Sequence, residues 1–309
     1  MRKFKNRSEE LRLYWKGWFR RKELNSGRSV RNDPFFILSS GRSGSTLLRR
    51  ILTSHSQILI PPETGDAVTK ATMTYIRGLG EDWRALSGRT VARFFSENGI
   101  RYWELEQGRV EEKVQSLPEE ERDLFGILRS IYHEYEKKEQ GEAVSIWGDK
   151  TPFLVFRMKW LQLLFPKALH ILLVRDGRDV VNSMVQRRGR DLQEACHRWK
   201  MASRLILRRH GDQRFNTLLV RYEDLVGSPQ WTMESIFQAL GLHPPEAFSE
   251  RLQGDPQERG DTILPHHQKS KHPIDPGNIG IWRKEMDQRQ QERVQKELSS
   301  TLKKLGYLF

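Results

Sequence analysis

One stretch limits the fold more than any other. The run Phe35-Phe36-Ile37-Leu38-Ser39 is followed at once by Ser40-Gly41-Arg42-Ser43-Gly44-Ser45-Thr46, then by a segment with Leu47, Leu48, Ile51 and Leu52 on one helical face. An apolar run of strand length, a turn of small residues and an amphipathic helix make a strand–loop–helix unit. In such a turn backbone N–H groups converge on an anion, and the helix N-terminus adds a favourable dipole. The simpler alternative is a plain capped turn, because Gly/Ser runs are ordinary turn chemistry and Ser45 or Thr46 can cap the helix. The loop is not a Walker turn: that pattern needs a lysine before Ser45, and the cation here is Arg42, inside the turn.

The rest of the chain repeats the alternation of strand and helix. A second short strand at 58–60 is stopped by Pro61-Pro62. Residues 66–140 are helical and polar, and further strands are expected at 144–147, 169–174 and 216–222. The run 169–174 is almost continuously apolar, as central parallel strands are. Helices are expected at 152–165, 176–186, 192–210, 231–240 and 285–305. This order predicts an α/β fold: a P-loop-like parallel β-sheet flanked by helices, with a helical insert after the second strand. No linker splits the body, so one domain is expected over 32–309.

Composition removes several classes. Nine Trp, 14 Phe and 7 Tyr in 309 residues argue against disorder. A single cysteine, Cys196, excludes an internal disulfide framework and a multi-cysteine metal site. No apolar run reaches the roughly 18–20 residues of a membrane span, and no signal-peptide core follows Met1, so a cytoplasmic protein is expected.

The charge is uneven. Residues 1–31 hold eleven Lys/Arg and three acids, a net +8 of the whole chain's +13. Within this arm Leu11, Tyr14, Trp15, Trp18 and Phe19 recur at helical spacing among Lys16, Arg20, Arg21 and Lys22. A helix packing its aromatic side on the body, with a solvated basic face, is the plain reading. The other is a helix held against an anionic surface or a protein, peripheral to a membrane. No RNP, zinc-finger or helix-turn-helix pattern accompanies the charge, so no specific nucleic acid is expected.

Three ordered motifs resemble the sulfotransferases that use 3′-phosphoadenosine 5′-phosphosulfate (PAPS). The stretch from Leu38 to Leu48 resembles their 5′-phosphosulfate loop, and that from Leu173 to Ser183 their 3′-phosphate motif. Gly277-Asn278-Ile279-Gly280-Ile281-Trp282-Arg283 resembles their C-terminal G-x-x-G-x-W-[KR] element. Pro62-Glu63-Thr64 and the run from Gly148 to Pro152 are similar to the tyrosylprotein sulfotransferases and related bacterial enzymes rather than to the cytosolic phenol type.

The resemblance implies roles. Gly41, Arg42, Ser43, Gly44, Ser45 and Thr46 would hold the 5′ end of PAPS. Arg175 and Ser183 would grip the 3′-phosphate, while Tyr222, Gly280, Trp282 and Arg283 would contribute to the nucleotide site. Lys150 matches the lysine that reaches the leaving oxygen and Glu63 the base, with Arg42 the third catalytic candidate and Asp149 an orienter. Glu63 also follows the second strand, at the end where α/β sheets gather ligands. Without the resemblance, Glu63 is a loop acid, Lys150 a surface lysine, Arg175 a strand-end ion pair, and Arg178-Asp179 a solvated helical turn. Cytosolic members carry Arg-Lys before the C-terminal glycine, where Asp275-Pro276 stands here; Lys269, Lys271 or Arg283 are the substitutes at hand. His266, His267 and His272 lack zinc-ligand spacing, so no metal is expected and the segment reads as a lid. The function implied is sulfuryl transfer to an acceptor hydroxyl of peptide tyrosine, sugar, lipid or small metabolite. The rivals are a P-loop-type kinase, disfavoured by the missing Walker lysine, and a non-catalytic nucleotide- or glycan-binding module.

Overall fold

In the computed structural model, which describes residues 2–26, 34–139, 144–245 and 276–307, helices and parallel strands alternate. In chain order they are α1 (Arg2–Phe19), α2 (Arg21–Leu24), β1 (Phe35–Ser39), α3 (Ser45–Thr53), β2 (Ile58–Leu59), α4 (Ala67–Arg77), α5 (Trp83–Phe95), α6 (Gln107–Gln115) and α7 (Leu124–Glu139). There follow β3 (Ile146–Asp149), α8 (Met158–Leu164), β4 (Leu169–Val174), α9 (Gly177–Arg188), α10 (Leu192–His210), β5 (Thr217–Arg221), α11 (Tyr222–Gly227), α12 (Pro229–Ala239), α13 (Trp282–Glu285) and α14 (Gln288–Lys304). They form two compact units, Met1–Pro34 with Ser56–Ala168, and Phe35–His55 with Leu169–Phe309. Every strand pairing described is parallel, and helices flank the strands: an α/β fold, as the alternation predicts.

In the second unit β4 lies between β1 and β5, with Phe35 opposite Leu169 and His170 opposite Thr217. All residues of β1 and β4 are buried, which is why their sequences are continuous apolar runs rather than alternating ones. Gly177 opens α9 against α10: a Cβ there would come within 2.6 Å of the Trp199 ring. An Asp287–Gln290 capping box starts α14, whose Val294, Leu298 and Leu302 are buried.

In the first unit β2 pairs with β3, Ile58 opposite Ile146. Trp103 meets Tyr132 and Tyr135 with ring centroids 5.0 Å apart, and Tyr132 stacks on Trp147 at 3.9 Å. This aromatic cluster is the core of the helical insert. The arm packs here too, through buried Leu13 and Leu24 and through Gly17, which lies against Ile76 and Leu163.

Three expectations need correction. The strand expected at 144–147 runs Ile146–Asp149, and the helix expected over 152–165 opens as a 3₁₀ turn, Pro152–Arg157, before α8. The arm packs by only part of its aromatic stripe: the Tyr14 ring meets Trp160 with centroids 5.4 Å apart, whereas Leu11, Trp15, Trp18 and Phe19 are exposed, the small Gly17 letting the opposite face approach the body closely. Among the described residues, no helix is long and apolar enough to cross a membrane.

Candidate active site

The loop after β1 is held open by backbone conformation. Gly41, Arg42 and Gly44 all have positive φ, at 77°, 58° and 89°. Gly44 is the N-cap of α3 and brings no capping side chain, so neither Ser45 nor Thr46 fills that position. A Cβ at Gly44 would overlap the Tyr222 ring, so only glycine fits both the dihedral and the space. Ser43 is fully buried, its hydroxyl 2.8 Å from that of Ser40, and this pair staples the turn.

Three chain segments of the second unit meet on this loop. Arg42 Nε donates to Ser183 Oγ at 3.1 Å. Arg175, at the end of β4, donates to the Arg42 carbonyl at 3.3 Å and to the Asn278 carbonyl at 2.6 Å. Its guanidinium lies 4.3 Å from the centroid of the buried Tyr222 ring. Asp179, one turn into α9, accepts from the Gly280 and Trp282 amides at 2.8 and 3.1 Å and ties the C-terminal element to the helix. Burial pushes the Asp179 carboxyl up, against those two N–H bonds and the Arg175 charge.

The cluster carries positive charge in excess. Burial, and then the charges of Arg188, Arg187 and Arg175, bring the Arg42 guanidinium down to about 10. The Arg175 Nε and Trp282 Nε1 atoms are buried without a hydrogen-bond partner. Buried donors without acceptors beside crowded arginines suit a polyanionic ligand. Trp282 lies between Arg178 and Arg283, each 4.6 Å from its ring. Arg178 and Asp179 are buried, not a solvated turn: Arg178 pairs with Asp176 at 2.7 Å and donates to Gln295 at 2.9 Å.

The first unit contains the other candidates. Lys150, fully buried, donates to Glu63 Oε1 at 2.7 Å; it is not a surface lysine. Around the pair runs a buried network. Asp149 Oδ2 accepts from Thr64 Oγ1 at 2.6 Å and Tyr132 Oη at 3.1 Å, and Oδ1 accepts from Thr151 Oγ1 at 2.8 Å. The Thr64 amide donates to Thr151 Oγ1 at 3.0 Å. Burial raises the Asp149 carboxyl, opposed by these hydroxyls, and the Glu63 charge raises it further. The insert supports the Glu63 loop, since Trp103 Nε1 donates to the Pro62 carbonyl at 3.0 Å and Gly99 leaves room for the Glu63 carbonyl.

Sequence reasoning did not single out the Asp179 clip, Arg187 and Arg188, the Trp103 brace, or Glu223. The last accepts from the Asp176 amide at 2.9 Å and from Tyr307 Oη at 2.8 Å. The one local signal was Asp179, an acid in the first turn of α9, close in sequence to the strand-end Arg175. Lys269, Lys271, His266, His267, His272 and Asp275, with most of the expected lid, lie outside the described residues. Among the described residues no group of three or more His, Cys, Asp or Glu could hold a metal.

Parallel strands, a glycine turn leading into a helix, and arginines converging on that turn define a P-loop-like α/β protein. Residues 34–246 match the sulfotransferase family, and the chain belongs to it. Protein-tyrosine sulfotransferase 2 of Gallus gallus is 26% identical over 215 residues, 67% of this chain and 50% of that protein. Protein-tyrosine sulfotransferase 1 of Danio rerio is 27% identical over 214 residues, 67% of this chain and 52% of its own. The chain thus spans about half the length of the curated relatives it matches. Among solved structures, the sulfotransferase domain of the Synechococcus PCC 7002 olefin synthase superposes with a TM-score of 0.63 at 23% identity, covering 93% of this chain and 100% of that one. The sulfotransferase domain from the curacin biosynthetic pathway gives 0.54 at 23% identity, covering 87% and 98%. At those identities the two domains speak for the fold.

Proposed function

We propose that the protein transfers a sulfuryl group from PAPS to an acceptor hydroxyl. The observation that carries this reading is the convergence of Arg42, Arg175 and Ser183 on one glycine loop, with the positive charge around Arg42 unbalanced. A ligand phosphorylated at both ends supplies the missing charge, with the loop at its 5′ end and Arg175 and Ser183 toward its 3′-phosphate. Tyr222, Gly280, Trp282 and Arg283 complete the nucleotide site. When bound, PAPS supplies an activated sulfuryl group whose displacement puts charge on the bridging oxygen of the leaving nucleotide.

The chain's own residues would position and discharge that reaction. Glu63 takes the acceptor's proton, and Lys150 gives a positive donor for the leaving oxygen. The Glu63–Lys150 bond keeps the two groups together, and the Asp149 network fixes the backbone on both sides of them. Peptide tyrosine is the first acceptor to try, since the curated relatives are protein-tyrosine sulfotransferases. A cytoplasmic location is proposed on the sequence alone, and cell fractionation tests it.

The decisive assay incubates labelled PAPS with peptide, sugar, lipid and small-phenol acceptors. Glu63→Gln should lower turnover by about two orders of magnitude or more and leave affinity for adenosine 3′,5′-bisphosphate unchanged. Arg175→Ala should lower that affinity at least about tenfold. Magnesium-dependent ATP turnover without sulfate transfer would point to the kinase, and wild-type function in Glu63→Gln to a binding module.

A further inference from the structure

The proposed sulfuryl transfer leaves the arm's outward face without an assigned role, and the chemistry of that face is specific. Leu11, Trp15, Trp18 and Phe19 fall at i, i+4, i+7 and i+8 of one helical face and remain 53%, 49%, 40% and 79% exposed. Four large apolar side chains on one exposed face are uncommon on a protein surface with nothing to meet. Arg12, Arg21 and Lys22 are exposed beside them, and the Arg21 guanidinium lies 5.6 Å from the Trp18 ring.

The acids of the arm are paired, two of them with the body and one within the arm. Glu9 pairs with Arg77, Glu10 accepts from Arg157 and Trp160 on the body, and Glu23 pairs with Arg20. Glu9 and Glu10 therefore anchor the helix, and the charge left outside is positive. We propose that this face of α1 is a docking surface for an anionic phospholipid bilayer, on which the helix lies flat with Trp15, Trp18 and Phe19 at the headgroup–acyl boundary. Aromatic side chains with a cationic rim suit that boundary. The helix is not long and apolar enough to cross the bilayer, so it rests in the interface. A second copy of the chain is the poorer occupant, because a two-fold contact through this patch would bring Arg12, Arg21 and Lys22 toward their own counterparts. The proposal does not depend on the sulfotransferase reading and can fail without it.

The test is co-sedimentation of the full chain with sucrose-loaded vesicles of phosphatidylcholine alone or with about 30% phosphatidylglycerol. Wild type should pellet with the anionic vesicles only, and binding should weaken as salt rises. The triple variant Trp15→Ser, Trp18→Ser, Phe19→Ser should lose at least about tenfold in partitioning, with its melting temperature unchanged because all three side chains are exposed. A second variant, Arg12→Ser, Arg21→Ser, Lys22→Ser, should lose the preference for anionic vesicles and retain nucleotide binding. Undiminished pelleting of both variants, or wild type remaining in the supernatant, would overturn the proposal. So would a wild-type dimer in light scattering that the aromatic variant abolishes, or acidic protein competing where vesicles do not.

Discussion

Arg42 bears two local costs. Its φ of 58° lies in the left-handed region, which costs a non-glycine residue about 1–2 kcal/mol, and burial among like charges lowers its guanidinium to about 10. A residue so placed persists when something other than stability selects it. Arg42→Gly should therefore melt no lower than wild type, with a gain of about 1 kcal/mol, while affinity for adenosine 3′,5′-bisphosphate falls at least about tenfold. Calorimetry with titration reads both; a lower melting temperature with unchanged affinity would make Arg42 a structural residue. Arg42, Arg175 and Ser183 were legible in the sequence because each sits in a short motif at a fixed offset from a strand end. Asp179 and Glu223 were not, since their partners lie 101 and 47 residues away along the chain.

Between elements, the Asp179 clip ties α9 to the C-terminal segment of the second unit. Asp179→Ala would leave the Gly280 and Trp282 amides without their acceptor and remove the carboxylate 3.9 Å from Arg175. The expected cost is about 2–4 kcal/mol, with faster amide exchange confined to residues 278–284 and weaker nucleotide binding. Uniform loss of protection across the unit would show the clip to be part of the general core instead. At this scale the strands were the most readable elements: β4 occupies 169–174 as predicted, because a fully buried parallel strand writes itself as an unbroken apolar run. The arm was read only in part: Tyr14 packs on Trp160, but helical periodicity shows that a helix has an apolar side and not how much of that side faces inward. The rest of the anchoring comes from Leu13, Gly17, Glu9 and Glu10.

For the molecule as a whole, acid stability should depend on one buried imidazole. His170 packs between Phe36 and Phe215, neither ring nitrogen has a hydrogen-bond partner, and burial, with the Arg209 charge, brings it down to about 4. Between about pH 6.5 and 4 the unfolded chain binds a proton there that the folded chain does not. Stability therefore falls as pH drops through that window, by an amount on the order of 3 kcal/mol. His170→Leu should flatten this part of the melting-temperature profile; an unchanged slope would assign the loss to other groups. The sequence by itself determined the strand–loop–helix order, the positions of the glycine loop and the strand-end arginine, and the family, because each is written within a few residues and depends on local periodicity and backbone geometry. Only the tertiary structure decided that Arg42 reaches Ser183, that Lys150 is buried against Glu63, and that the arm turns Trp15, Trp18 and Phe19 outward. Those outcomes depend on close packing and charge between segments distant in the chain, which no local pattern encodes.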